Sequence, residues 1–148
     1  MIEILDASTA IKWFVRNEES GLAAADDVLT RVILAPQDFA VPALFLYEVQ
    51  AALCRRLHDG ESVLTCLRKL LALGLTVVEP DETLLTLATH VAVRHRLTGY
   101  DAAYVALALH LQGIWLTFDA PAYARVQSLN AARLLGSSQV SCGTEGNQ

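Results

Sequence analysis

Apolar residues along the chain fall into short runs separated by longer stretches of helical period, an alternation that predicts strands joined by helices. The run Met1–Leu5, ending at Asp6, reads as a buried strand. Ser8–Val15 and Glu18–Val32 read as helices. Phe39–Val41 is a short strand stopped by Pro42, which suits the first turn of a helix reaching Leu57. That helix is expected to end at His58-Asp59-Gly60, with glycine in the left-handed cap. Glu61–Leu73 gives another helix closed by Gly74, and Leu75–Glu79 a β-branched strand. Asp81 opens a helix whose Leu84, Leu87, Ala88, Val91 and His95 form one stripe. Thr98-Gly99-Tyr100-Asp101 starts a further helix through Leu111. Ile114–Thr117 is a strand, Asp119-Ala120-Pro121 begins a short helix, and Leu134-Leu135 belongs to a last strand.

Strands alternating with helices need crossover connections, so the expected fold class is α/β with a central, mostly parallel sheet covered on both faces. Residues 1–135 are expected to form one domain, and the small, polar segment 136–148 a flexible tail. In such sheets sites form beyond the carboxyl ends of the strands. Asp6 and Asp119 each follow a predicted strand and fall at that edge.

Four acids have neighbours unlike those of ordinary surface residues. Asp6 follows Ile4-Leu5. Glu48 shares a helix face with Leu44, Phe45, Ala51 and Ala52. Asp101 opens a helix carrying Tyr104, Val105 and Ala108, and Asp119 follows an apolar strand. Singly, Asp6 and Asp119 suit helix capping, and Asp101 suits a capping box with Thr98. Glu48 is different, because a carboxylate within an apolar helix face needs a partner and no Lys or Arg lies three or four residues away. Converging carboxylates repel one another and call for a cation. A hard divalent ion with oxygen ligands, Mg²⁺ or Mn²⁺, meets that demand and supports displacement at phosphorus. The chain has no phosphate-cradling glycine loop, no G-x-S-x-G elbow and no H-E-x-x-H.

Composition refines this picture. With 148 residues, 53% of them apolar and 18% charged, the chain fits one folded domain and excludes bulk disorder. No apolar run reaches membrane-spanning length and no basic-then-apolar leader opens the chain, so neither a membrane partner nor export is expected. The odd count of 3 cysteines, without metal-ligand spacing, points to a reduced, cytoplasmic setting. A net charge of -5 excludes a broad basic surface that wraps nucleic acid. Once four of the 16 acids are assigned to one pocket, however, the other 12 nearly balance the 11 Lys and Arg.

The four acids sit within segments that resemble the PIN-domain family, in particular its VapC-type toxin ribonucleases of type II toxin–antitoxin systems. These segments are Ile4-Leu5-Asp6-Ala7-Ser8 with Ile11-Lys12-Trp13-Phe14, then Val41-Pro42-Ala43-Leu44 leading to Glu48-Val49. Leu97-Thr98-Gly99-Tyr100-Asp101-Ala102-Ala103-Tyr104-Val105-Ala106-Leu107-Ala108 and Leu116-Thr117-Phe118-Asp119 complete the set, in order, from residue 2 to about 126. The resemblance implies a three-layer α/β/α sandwich in which Asp6, Glu48, Asp101 and Asp119 gather around Mg²⁺ or Mn²⁺. It further implies endonucleolytic cleavage of RNA, neutralisation by a cognate antitoxin protein, and a homodimer or toxin–antitoxin hetero-oligomer. Toxins of this group often carry Asn three residues after the helical Glu, where this chain has Ala51.

Ser8 and Thr117 are candidates to hydrogen-bond Asp6 and Asp119 or a water at the site. Lys12, Arg94 and Arg96 are candidate RNA contacts, although a basic run at a helix end also complements the helix dipole. A second class of reading is a catalytically weak PIN-like module that binds RNA or protein without cutting. A phosphoryl-transfer domain of haloacid-dehalogenase type would need Asp where Ser8 stands, and a receiver domain would need adjacent acids and a late Lys; neither pattern is present.

Overall fold

The computed structural model describes residues 1–17 and 19–136. Of the tail expected at 136–148, all but Gly136 lies outside the described residues. The strands are β1 (Glu3–Leu5), β2 (Phe39–Pro42), β3 (Thr76–Val78), β4 (Ile114–Thr117) and β5 (Ala132–Leu134). The helices are α1 (Ala7–Phe14), α2 (Leu22–Leu34), α3 (Leu44–Leu57), α4 (Gly60–Ala72), α5 (Glu82–His95), α6 (Gly99–His110) and α7 (Ala120–Val126).

All four strand pairings are parallel, in the order β3-β2-β1-β4-β5. Helices α1 to α4 pack together as one layer and α5 with α6 as the other, giving the α/β/α sandwich. Every residue of β1 is buried, because it is the central strand with a helix layer on each face. Trp115, Leu116, Val41, Phe45 and Val105 fill the core around it. The chain proceeds outward from β1 to β3, then returns to β4 on β1's other side, which creates the switch point between β1 and β4. Gly113 allows the close pairing there: a Cβ at this position would collide with the Ile2 carbonyl, which accepts the Ile114 N–H at 3.0 Å.

Several boundaries differ from expectation. Helix α2 starts at Leu22 rather than Glu18, because Gly21 adopts a left-handed φ of 72° immediately before it. Pro42 is the last residue of β2, opposite Val78, and not the first helical residue. Lacking an N–H is tolerated at that strand end, where Ala43 supplies the donor to the Val78 carbonyl at 2.9 Å. At the end of α3, His58 rather than Gly60 takes the left-handed cap, with φ 56°. Asp59 then caps α4 by accepting the Ser62 N–H at 3.1 Å, so Gly60 enters the helix.

Candidate active site

The two strands flanking the switch point end in the same way. Asp6 follows β1 and caps α1, its Oδ1 accepting the Ser8 N–H at 3.2 Å. Asp119 follows β4 and caps α7, its Oδ1 accepting the Ala122 N–H at 2.9 Å. Thr117 joins them: its hydroxyl donates to Asp6 Oδ2 at 2.8 Å and accepts the Asp119 N–H at 3.0 Å. Capping and convergence therefore coexist at both acids, since a carboxylate has about four lone-pair positions.

Two helices bring the other acids. Glu48 lies in the second turn of α3, half-buried, and its Oε1 accepts the Tyr104 hydroxyl at 2.7 Å. Asp101 lies in the first turn of α6, where Thr98 Oγ1 accepts its backbone N–H at 3.1 Å.

The electrostatics show that these groups share one neighbourhood. Burial, reinforced by the charges of Glu48 and Asp101, raises the Asp6 carboxyl to about 6, despite opposing hydrogen bonds from Thr117 and Ser8. Burial also raises Glu48, with Asp101 adding to the effect. Asp101 is raised by burial and by the charge of Asp119. Among the described residues, none of the four forms an ion pair with Lys, Arg or His. The Tyr104 phenol is driven far above its ordinary value by burial and by Glu48, so it stays a donor.

This donor set fits a hard divalent cation: it is all oxygen, jointly anionic and without a cationic partner among the described residues. The Ser8 hydroxyl, buried beside Asp6, has no partner among the described residues and is a further oxygen in want of one. Among the described residues, no three Asp, Glu, His or Cys side chains lie close enough to hold an ion as they stand. An apolar cleft of about 300 Å³, lined by Pro42, Ala43, Leu84, Tyr100 and Leu107, contains none of the four acids.

The three basic residues singled out in the sequence are placed differently from one another. Lys12 is buried, ion-paired with Glu19 at 2.8 Å, and sits 4.7 Å from the centre of the Phe118 ring. Arg56 binds the same Glu19 at 2.8 Å, and these two cations hold its carboxyl below the ordinary range. Arg94 and Arg96 are exposed at the end of α5, where the Arg96 carbonyl accepts a hydrogen bond from Arg125. Ala51 is exposed one turn after Glu48. Tyr104 is the partner that sequence reasoning missed, although a buried phenol and an unpaired helical carboxylate each signalled a need for one.

Among the described residues, no helix is long and apolar enough to cross a membrane. No curated protein matches the chain significantly. Among solved structures, a toxin–antitoxin complex from Klebsiella pneumoniae superposes with a TM-score of 0.65 at 17% identity, covering 88% of this chain and 95% of that one. FitAcB from Neisseria gonorrhoeae gives 0.67 at 14% identity, with 85% and 94% covered. VapC20 from Mycobacterium tuberculosis, a sarcin-ricin loop cleaving toxin, gives 0.65 at 18% identity, with 82% and 93% covered. These likenesses concern the fold; the sequence itself matches the PIN domain model over residues 4–127, a span that contains all four acids, and the chain therefore belongs to the PIN-domain family.

Proposed function

We propose that the protein is a divalent-metal-dependent endoribonuclease and the toxin half of a toxin–antitoxin pair, working in the cytoplasm with Mg²⁺ or Mn²⁺. The observation that carries this reading is a group of carboxyls, Asp6, Glu48 and Asp101, each raised first by burial and then by a neighbouring carboxylate, with which no cationic side chain pairs among the described residues. The toxin assignment draws support from the fold shared with the Klebsiella complex and with VapC20. The cytoplasmic setting accords with the free thiols of Cys54 and Cys66. Its partners in this reading are RNA, a cognate antitoxin and a second copy of the chain or a hetero-oligomer with the antitoxin.

Asp6, Asp101 and Asp119 would hold the ion, with Glu48 as a fourth ligand or as the base. When bound, the ion lowers the pKa of water and stabilises charge at the scissile phosphate. Thr117 fixes Asp6 and the start of the Asp119 turn relative to each other. Glu48 Oε1 is engaged by Tyr104, which leaves Oε2 to orient the attacking water and receive its proton. Arg94 and Arg96 are the exposed candidates for phosphate contact, and Lys12 reaches that role only by leaving Glu19.

The test is RNA length on a denaturing gel after incubation with purified protein, with and without Mn²⁺. Metal-dependent shortening by the wild type, lost in a folded Asp101→Asn variant, is the expected result. Full cleavage by Asp101→Asn overturns the mechanism. The spacing of the acids in their present rotamers favours one rival, a module that binds RNA or protein without cutting. Such a module retards RNA in a native gel and leaves its length unchanged at every metal concentration.

A further inference from the structure

We infer that Tyr104 is a positioning residue of the carboxylate site, its hydroxyl setting the orientation of Glu48. The inference rests on the nuclease reading given above and adds a residue to it.

Tyr104 is placed to do this by two independent contacts. Its side chain is 1% exposed, and its ring stacks on fully buried Trp115 with centroids 6.2 Å apart and planes 23° from parallel. A ring packed in this way cannot swing, so the position of its hydroxyl oxygen is set by the core. The hydroxyl donates to Glu48 Oε1 at 2.7 Å, the only hydrogen bond to that carboxylate among the described residues.

The connectivity matters as much as the contacts. Tyr104 stands one turn after Asp101 on α6 and reaches Glu48 on α3. Its stacking partner, Trp115, lies two residues before Thr117 on β4. A single phenol thus refers Glu48 to the segments that carry the other acids. Glu has three side-chain torsions, and on a half-exposed helix face those torsions are otherwise free. Binding one carboxylate oxygen removes that freedom and presents the second oxygen in a fixed direction.

Tyr104→Phe deletes the hydroxyl and keeps the stacked ring. With purified variant and wild type, isothermal titration with Mn²⁺ alone reads the site without catalysis, and single-turnover cleavage separates kcat from KM. We expect Mn²⁺ affinity and kcat each to fall on the order of 10-fold, with KM for RNA unchanged. We also expect Tyr104→Phe to add nothing in a Glu48→Gln background, which a general packing defect would not reproduce. Wild-type Mn²⁺ affinity and kcat in Tyr104→Phe, or losses that persist undiminished in the Glu48→Gln background, overturn the inference. A wild type that neither binds Mn²⁺ nor cuts RNA overturns the nuclease reading and the inference with it. Should Tyr104→Phe not fold, the ring-carbon resonance of Tyr104 in wild-type protein serves instead. It is expected to shift on Mn²⁺-free addition of Mg²⁺ and again in Glu48→Gln, and indifference to both overturns the inference.

Discussion

The hydroxyl of Thr117 donates to Asp6 at 2.8 Å while its oxygen accepts the backbone N–H of Asp119 at 3.0 Å, so a fully buried threonine ties together the acids at the ends of two neighbouring strands. Thr117→Val has nearly the same shape but can neither donate nor accept. It leaves the Asp119 N–H without that partner and Asp6 Oδ2 without its donor. We expect a loss of about 1–3 kcal/mol in urea unfolding, together with weaker Mn²⁺ binding. Unchanged stability and unchanged metal affinity in Thr117→Val would show that this bridge has no influence on either.

The elevated Asp6 carboxyl gives the metal-free protein an unusual pH dependence. Its folded value, about 6, lies above the ordinary 3.8, so between these values the folded chain binds more protons than the unfolded one. Its contribution is therefore most favourable below about pH 4 and is lost as pH rises through 6. Asp6→Asn keeps one oxygen acceptor, enough for the Ser8 N–H, and removes the buried charge, so it should stabilise the metal-free protein at pH 7, by at most about 3 kcal/mol. The gain should vanish near pH 4, as read from denaturant midpoints at the two pH values. Excess Mn²⁺ should reverse the ranking at pH 7, because only the wild type keeps the ligand.

Gly21 and Phe118 form a steric pair beside the site. Gly21 has φ 72°, and a Cβ there would meet Phe118 Cε1 at 2.6 Å. Phe118 lies between Thr117 and Asp119, so a displaced ring disturbs both. Gly21→Ala is expected to lower stability by about 1–3 kcal/mol and to reduce cleavage. In a Phe118→Leu background the steric part should disappear and the cost of the left-handed backbone remain, about 1 kcal/mol. Additive effects of the two substitutions on the unfolding midpoint would contradict this.

The opposite end of β1 offers a control. Glu3 is buried at the start of the strand, paired with Arg31 from α2 and, at 3.1 Å, with Arg133 from β5. Both arginines are substantially exposed, which screens the pairs. Glu3→Gln should lower stability by about 1–2 kcal/mol, and added salt should narrow the difference. Metal affinity should not change, since Glu3 and Asp6 lie at different ends of the strand. An altered Mn²⁺ affinity would place Glu3 in contact with the site's energetics.

The parts of the site that sequence made legible are those built by local rules. Asp6 and Asp119 each follow an apolar strand and precede a helix, so strand pattern and capping chemistry together locate them at the sheet edge. Glu48 stood out because a carboxylate on an apolar helix face contradicts its surroundings. What stayed hidden depended on partners distant in sequence. Tyr104 read as core, and nothing near it in the chain names Glu48, 56 residues away, as its acceptor. Lys12 read as a cation free to meet phosphate, because its Glu19 partner is brought in by the turn before α2. The length of α2 was overestimated for the same reason: the helical period continues through Gly21, and only the close approach of Phe118 reveals why the backbone turns there.

The central place of β1 has a consequence for synthesis of the chain. Asp6 is made before the threonine that positions it, 111 residues further on, and β4 is the neighbour that completes β1's second edge. A nascent chain that stops short of Ile114 holds Asp6, Glu48 and Asp101 but has neither the strand that seats Asp6 nor Asp119. Long-range parallel pairing of this kind forms late, after the loop-closure entropy of the intervening chain has been met. Assembly of the acidic site therefore waits on synthesis of β4, and products that stop before it are left without the site.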